Sequence, residues 1–107
     1  MSDVQERIRE IVKNNRIVLF MKGTPEQPLC GYSANTSRML GSLGASYVSV
    51  DVIGEPEYRD GVKVFSNWPT LPQLYIDGQL IGGFDIAYEM YQKGELQKLV
   101  AGESAPG

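Results

Sequence analysis

The sequence lacks histidine and contains a single cysteine, and both shortages restrict what the protein can do. None of its 107 residues can supply an imidazole for a catalytic dyad or a metal site. One cysteine cannot form an internal disulfide, which excludes the disulfide-stapled class of secreted proteins. One chain alone also cannot assemble a zinc site of four cysteine and histidine ligands. Chemistry that needs several thiols must therefore borrow them from another molecule.

Long apolar runs and an excess of positive charge are missing as well. No apolar run approaches the ~18 residues that a membrane-spanning helix requires. Acidic residues interrupt residues 1–15, which have no apolar core segment and so do not resemble a signal peptide. A net charge of −3 argues against non-specific binding to nucleic acid or anionic membranes. We therefore expect a cytoplasmic protein.

The pattern that is present predicts one α/β domain. We expect it to span residues 1–107, with a disordered tail at 101–107. Helices are predicted at 3–14, 31–43, 55–66, 85–93 and 95–101, and strands at 17–21, 46–52, 73–77 and 79–83. Strands separated by helices pair in parallel, whereas the last two strands, joined at Asp77-Gly78, form an antiparallel hairpin. The prediction is a mixed four-stranded sheet with helices on both faces.

Cys30 is the residue best placed for chemistry. It follows a predicted buried strand and a loop interrupted by Pro25 and Pro28, and it begins a helix. Free N–H groups at a helix start favour a thiolate, and Lys22 adds a positive charge nearby. A lone cysteine is often only a small buried side chain, but this context favours a thiolate that attacks a disulfide or binds a soft metal. Because Ser33 stands where a Cys-x-x-Cys motif has its second cysteine, a dithiol cycle within the chain is excluded.

The segment WPTLPQLYIDG (68–78) predicts a peptide-binding edge. Pro72 immediately precedes a strand, where proline is tolerated. A cis Leu71-Pro72 bond would leave the backbone of Leu71 free to pair with an extended peptide. The other interpretation is a plain turn into an edge strand, in which Trp68 only packs.

Charged side chains indicate which charged groups such a peptide would have. Asp85 follows two glycines and begins a helix, so it is either a helix N-cap or a carboxylate that binds an ammonium group beside free N–H groups. Arg59 and Lys63 lie one helical turn apart, either on a solvated face or, if near Cys30, as partners of a second carboxylate. A ligand with a thiol, an α-amino acid end and another carboxylate is glutathione.

Three segments carry a family resemblance. KGTPEQPLCGYS (22–33), FSNWPTLPQLYIDG (65–78) and GGFDIAYEMYQKGEL (82–96) resemble the single-domain monothiol glutaredoxins, whose usual motif is CGFS. The resemblance extends from the N-terminal helix to about Leu99. It implies a thioredoxin-like fold with a cis proline at Pro72.

The resemblance also implies the ligands and the residues that bind them. Cys30 would be the redox-active residue and the metal ligand, one from each subunit of a homodimer, and two glutathione molecules would complete a [2Fe–2S] centre. The matching residues that bind glutathione in the family are Lys22 and Arg59 at the glycine carboxylate, the Leu71 backbone at the cysteinyl unit, and Phe84 N–H with Asp85 at the γ-glutamyl end; Lys63 is a weaker candidate.

Two positions depart from the family pattern. Tyr32 stands where phenylalanine is typical; it keeps the ring and adds a hydroxyl, and we expect function to be unchanged. Some relatives carry a second cysteine where this chain has Phe84. Its absence leaves no local resolving thiol for Cys30.

Three functions are compatible with these residues. The resemblance implies a carrier that stores [2Fe–2S] and transfers it to apo client proteins in iron homeostasis, with a BolA-like protein as a plausible partner. The alternative is a glutathione-dependent oxidoreductase that resolves mixed disulfides through Cys30, although weak or absent activity is expected. A third possibility is an interaction module with a vestigial site, which predicts no glutathione binding.

Overall fold

Four strands form one mixed sheet. The computed structural model describes residues 3–102, with strands β1 Ile17–Met21, β2 Val48–Asp51, β3 Gln73–Ile76 and β4 Gln79–Gly82. Their order across the sheet is β2-β1-β3-β4. β1 pairs in parallel with β2 and antiparallel with β3, and β3 pairs antiparallel with β4. The predicted mixed sheet is confirmed.

Five helices cover both faces of this sheet. They are α1 Asp3–Asn14, α2 Gly31–Ser42, α3 Pro56–Ser66, α4 Phe84–Gln92 and α5 Glu95–Val100. On one face, α1 and α3 bury Ile8 and Val62 against the sheet. On the other face, α2, α4 and α5 bury Leu40, Ala87 and Leu96. All of β1 is buried because helices cover this central strand on both sides, as its continuous apolar sequence predicts.

The hairpin turn between β3 and β4 is also as predicted. Asp77 and Gly78 both have positive φ, at 53° and 80°. Positive φ at both central residues is what a tight two-residue turn requires, and it explains the Asp-Gly pair. Arg16 donates a hydrogen bond of 3.0 Å to the Asp77 carboxylate and so fixes the turn to the start of β1.

Several boundaries differ from the prediction. β2 is shorter than residues 46–52, and α4 begins at Phe84 with Gly83 as its N-cap, so the N-cap interpretation of Asp85 is wrong. The reason is Gly82, whose φ of 140° turns the chain directly after β4 and lets the helix begin early. The expected disordered tail lies mostly outside the described residues. Within residues 3–102, no helix is long and apolar enough to cross a membrane.

The topology brings the candidate site residues to one edge of the sheet. β1 ends at this edge, and the chain continues from it toward Cys30 at the start of α2. Because β3 is antiparallel to β1, β3 begins at the same edge, directly after Pro72. β4 returns to the edge, so Gly83 and the start of α4 lie there too. Three chain segments far apart in sequence therefore meet beside the cysteine.

Candidate functional site

The Cys30 thiol lies at the N-terminus of α2 and is partly exposed. Cys30 is the N-cap residue, with an extended backbone (φ −153°, ψ 137°). Its pKa is lowered, chiefly by a hydrogen bond from the backbone N–H of Ser33, against which partial burial acts. The N–H of Tyr32, the charge of Lys22 and the Ser33 hydroxyl lower it further. The site therefore favours the nucleophilic and metal-binding thiolate form.

Ser33 has a role that its position in the motif did not reveal. Its side chain is fully buried, and its Oγ accepts a hydrogen bond of 3.0 Å from the backbone N–H of Lys22. The residue thus joins the end of β1 to the first turn of α2. A small hydroxyl residue in the first turn of a helix was the available signal, because such residues often satisfy nearby backbone groups.

The loop before Cys30 is held by Asp51, which sequence reasoning did not single out. Asp51 Oδ1 accepts hydrogen bonds of 2.9 Å from the N–H groups of Gly23 and Ile53. A hydrogen bond from the Gly54 N–H is the main cause of a lowered pKa of Asp51, and the bonds from Ile53 and Gly23 lower it further, although partial burial acts against them. Gly23 has a φ of 88°, and a Cβ there would lie 2.4 Å from the Gln27 carbonyl oxygen. The loop conformation therefore requires glycine and depends on a carboxylate from the neighbouring strand.

A cleft of about 430 Å³ lies beside the start of α2. Its lining residues come from α2, the segment before β3 and the start of α4: Tyr32, Trp68, Thr70, Leu71, Pro72, Gly83, Phe84, Asp85 and Ile86. The Leu71-Pro72 peptide bond is cis, as predicted. Among the described residues, none accepts from the Leu71 N–H or donates to its carbonyl. The cleft therefore brings Leu71, Phe84 and Asp85 together and has free backbone groups in its wall.

The cationic candidates are distributed differently. Lys22 is close enough to Cys30 to lower the pKa of the thiol. Arg59 is exposed on α3, where its Nε lies 3.6 Å from Asp60 Oδ1. Neither Arg59 nor Lys63 lines the cleft. The structure thus brings Lys22 to the cysteine, and leaves the two α3 cations outside the cleft wall.

Aromatic rings form the outer side of the site. The Phe84 ring contacts Tyr32, at 6.0 Å between centroids, and stacks on Tyr88 at 5.4 Å. Trp68 also lines the cleft; its indole N–H is buried and has no hydrogen-bond partner in the described part of the chain. These rings give the cleft an apolar lining with a few polar groups, as is usual for sites that bind small molecules.

The sheet, the helices on both faces and the cysteine at the start of α2 define a thioredoxin-fold thiol protein. The glutaredoxin family model matches residues 17–81, and the chain belongs to that family. Within it, the chain is a monothiol glutaredoxin. It is 50% identical over 97 residues to a protein named probable monothiol glutaredoxin 2 from Rickettsia felis, with 91% of this chain and 93% of the relative covered.

Solved structures agree with this fold. A monomeric truncated mutant of Trypanosoma brucei 1-C-Grx1 is 38% identical and superposes with a TM-score of 0.85, covering 100% of this chain and 99% of that one. A buckwheat glutaredoxin–glutathione complex has a TM-score of 0.82 over 92% of this chain and 88% of that one. At 24% identity, the buckwheat likeness concerns the fold.

Proposed function

We propose that this monothiol glutaredoxin binds glutathione in the cleft beside Cys30 and, as a homodimer, carries a [2Fe–2S] cluster for storage and transfer in iron homeostasis. One observation carries the proposal. A single, partly exposed thiol with a lowered pKa lies beside a cleft lined by Leu71 and Asp85. A lone thiolate needs partners from other molecules, and the cleft offers a place for one that carries a thiol itself.

The cleft wall has candidate contacts for two parts of glutathione, and cations outside the wall are the candidates for the third. The unpaired N–H and C=O of Leu71 suit the cysteinyl unit, which can pair with them as an extended strand does. At the start of α4, the Phe84 N–H is free to bind the γ-glutamyl carboxylate, while the exposed Asp85 carboxylate binds its ammonium group. Lys22 and Arg59 would bind the glycine carboxylate, and Lys63 is a further candidate.

Cys30 supplies one ligand to the cluster, and the rest must come from outside the chain. No group of three or more histidine, cysteine, aspartate or glutamate side chains within residues 3–102 could hold a metal ion. Iron–sulfur clusters are usually held by four thiolates. Cys30 from each of two subunits and two glutathione thiols meet that requirement. The lowered pKa of Cys30 supports this role, because a cysteine binds metal as the thiolate.

The surface around the thiol suits contact with another protein. Leu29 and Tyr32 flank Cys30 and are 64% and 59% exposed. Exposed apolar side chains that adjoin a functional group favour a protein interface. We propose that this surface is used in turn by a second copy of the chain, by a BolA-like protein and by apo-proteins that receive the cluster.

The test is reconstitution under anaerobic conditions with iron, sulfide and glutathione. The expected product is a coloured dimer with cluster absorption and circular dichroism bands and one glutathione per subunit. The Cys30→Ser variant should stay colourless and monomeric, whereas Lys13→Gln, at the other end of the sheet, should behave like the natural chain. A Cys30→Ser protein that still holds the cluster would refute the assignment.

The second candidate is a glutathione-dependent oxidoreductase. It is favoured by the same thiolate, since attack on a mixed disulfide needs only Cys30 and a bound glutathione. A glutathione-coupled disulfide assay should show little turnover if the carrier role is correct. Brisk turnover without cluster formation would favour the enzyme, and the absence of glutathione binding in calorimetry would favour an interaction module.

A further inference from the structure

Gln73, the first residue of β3, is a polar side chain sealed inside the core. It has no exposed surface. Its Nε2 donates to the carbonyl oxygens of Trp68 and Thr70, at 3.0 Å and 3.3 Å. Its Oε1 accepts a hydrogen bond of 3.1 Å from the hydroxyl of Tyr75. The amide is thus bonded at both ends, as a buried amide must be to avoid a large desolvation cost.

The two carbonyls that Gln73 binds belong to the wall of the cleft. Trp68 and Thr70 line the cleft together with Leu71, the residue after Thr70. Residues 67–72 belong to no helix or strand, so no regular backbone ladder fixes them. At the start of this segment, the N–H of Trp68 donates to Ser66 Oγ at 3.1 Å. The hydrogen bonds of this segment therefore involve mainly side chains, and Gln73 supplies two of them, while Leu71 packs against the apolar core.

The two carbonyls and Tyr75 together fix which way the Gln73 amide points. Because carbonyl oxygens only accept, the NH₂ group faces them, and Oε1 accepts from the Tyr75 hydroxyl. The Tyr75 ring lies between Phe20 and Phe65, with centroid distances of 5.7 Å and 6.1 Å. Burial raises the pKa of Tyr75, so its hydroxyl keeps the proton it donates. The amide is thus held at one end by two carbonyls and at the other by a packed, neutral donor.

We propose that Gln73 is a positioning residue for glutathione binding. From the buried side of the sheet it holds the carbonyls of Trp68 and Thr70, and by doing so it fixes the Leu71 backbone that pairs with the tripeptide. Gln73 itself touches no ligand. The inference rests on the glutathione site proposed above. It adds that the Gln73 hydrogen bonds keep this site formed before glutathione binds, and a preformed site lowers the entropy cost of binding.

Three variants separate positioning from plain stability. Gln73→Leu removes all three hydrogen bonds while keeping similar bulk, and Tyr75→Phe removes the bond to Oε1 together with the contact between the Tyr75 and Ser66 hydroxyls. Ile76→Val is the matched control, because Ile76 is buried on the same strand but packs into the opposite half of the core. All three should lower the melting temperature, so stability alone cannot distinguish them.

Two measurements distinguish a positioning role from a purely stabilising one. They are glutathione affinity by calorimetry and the backbone order of residues 68–71 by NMR relaxation. Loss of these hydrogen bonds should raise the dissociation constant about tenfold for Gln73→Leu and less for Tyr75→Phe. The amides of Thr70 and Leu71 should become more mobile, while the pH dependence of Cys30 alkylation stays unchanged. Ile76→Val should change neither affinity nor order.

The inference is overturned if Gln73→Leu binds glutathione as the natural chain does, or if Ile76→Val weakens binding equally. Should Gln73→Leu fail to fold, the smaller change in Tyr75→Phe decides by the same two readouts. If the natural chain itself binds no glutathione, the proposed function fails. Backbone order in residues 68–71 then still shows whether Gln73 holds the segment.

Discussion

The end of the sheet near the Asp77-Gly78 turn differs from the end near Cys30 in how its polar groups are paired. At the turn end, Arg16 donates to Asp77 Oδ1 and to the carbonyl oxygens of Leu99 and Val100. One side chain thereby joins the start of β1, the hairpin turn and the end of α5. These groups partner one another, and their role is structural.

At the Cys30 end, several polar groups are left without partners from the chain. Within residues 3–102, no hydrogen bond or ion pair involves the side-chain ammonium of Lys22 or the carboxylate of Asp85. The backbone groups of Leu71 are likewise unpaired there. Asp85 and Leu71 line the cleft and Lys22 lies near Cys30, so a ligand bound there can satisfy them. The buried side chains behind them are, by contrast, hydrogen-bonded: Ser33 accepts from the Lys22 N–H, and Gln73 donates to the Trp68 carbonyl oxygen.

Cavity size does not distinguish the two ends. The cleft lined by Arg9, Arg16 and Asp77 measures about 550 Å³ and is larger than the 430 Å³ cleft beside Cys30. In the larger cleft, Arg9 pairs with Glu6 at 2.8 Å, and each of the three guanidinium nitrogens of Arg16 donates a hydrogen bond. The supply of unpaired groups beside a reactive thiol, rather than volume, identifies the functional end.

The largest effect among the binding residues is expected for Asp85→Asn. It removes the charge proposed above to bind the ammonium group of glutathione and keeps the shape of the side chain. A hydrogen bond to a charged group contributes about 1.5–3 kcal/mol, so the dissociation constant measured by calorimetry should rise by about tenfold or more. Asp77→Asn, the same change at the turn end, should leave the affinity unaltered. Equal affinities for both variants would remove Asp85 from the site.

For Arg16→Met we expect a loss of stability without a loss of glutathione affinity. This change retains much of the apolar stem but breaks the contacts with Asp77 and α5, so it should lower the free energy of unfolding by about 1–2 kcal/mol in urea denaturation. Glutathione affinity should not change. Arg9→Met, which breaks only an exposed pair with Glu6, is the control and should cost less than about 0.5 kcal/mol. Equal losses for the two variants would contradict the bridging role of Arg16.

Features that depend on neighbouring residues could be predicted from the sequence, whereas features that depend on residues far apart in the chain could not. Local patterns correctly predicted the sheet, its helices and the Asp77-Gly78 turn, because apolar periodicity and turn chemistry are properties of neighbouring residues. The start of α4 was misplaced by one residue, since Asp85 has good N-cap chemistry and only the backbone angles of Gly82 show that the chain turns sooner.

The supports of the site lay beyond sequence reasoning for a physical reason. Asp51 reaches the N–H of Gly23 across 28 positions, and Ser33 reaches Lys22 across 11. No periodic pattern encodes such pairs, which exist only after the sheet has formed. For Arg59 and Lys63 the local pattern was readable but its consequence was not. Their spacing predicted a shared face of α3, whereas the direction of that face depends on how α3 packs. Their glutathione contacts stay a prediction.

A smaller effect is expected on the titration of Cys30, measured as the alkylation rate against pH. The rate should reach half its maximum below the pH of an ordinary thiol, since the site lowers the pKa. Because the folded protein favours the thiolate, the resulting stabilisation is present above the unfolded thiol pKa and is lost as pH falls through the folded one.

Lys22→Gln removes one of the lesser causes of that shift, so it should raise the Cys30 pKa only slightly. Lys13→Gln, which removes a charge at the turn end, should have no effect on the titration. An unchanged titration in Lys22→Gln would mean that the first-turn N–H groups and the Ser33 hydroxyl account for the whole shift. Ser33→Ala, which deletes the hydroxyl and leaves the N–H, should also have a minor effect.

The smallest effect is expected for Tyr32→Phe, which restores the usual ring of the family. The Tyr32 side chain is exposed, and its contact with the Phe84 ring, at 6.0 Å between centroids, needs no hydroxyl. Surface changes of this kind shift stability by less than about 0.5 kcal/mol. Urea denaturation, glutathione affinity and the lifetime of the reconstituted cluster in air should all match the natural chain. A clear change in cluster lifetime alone would show that the hydroxyl acts on the cluster, and it would place Tyr32 among the residues of the functional end.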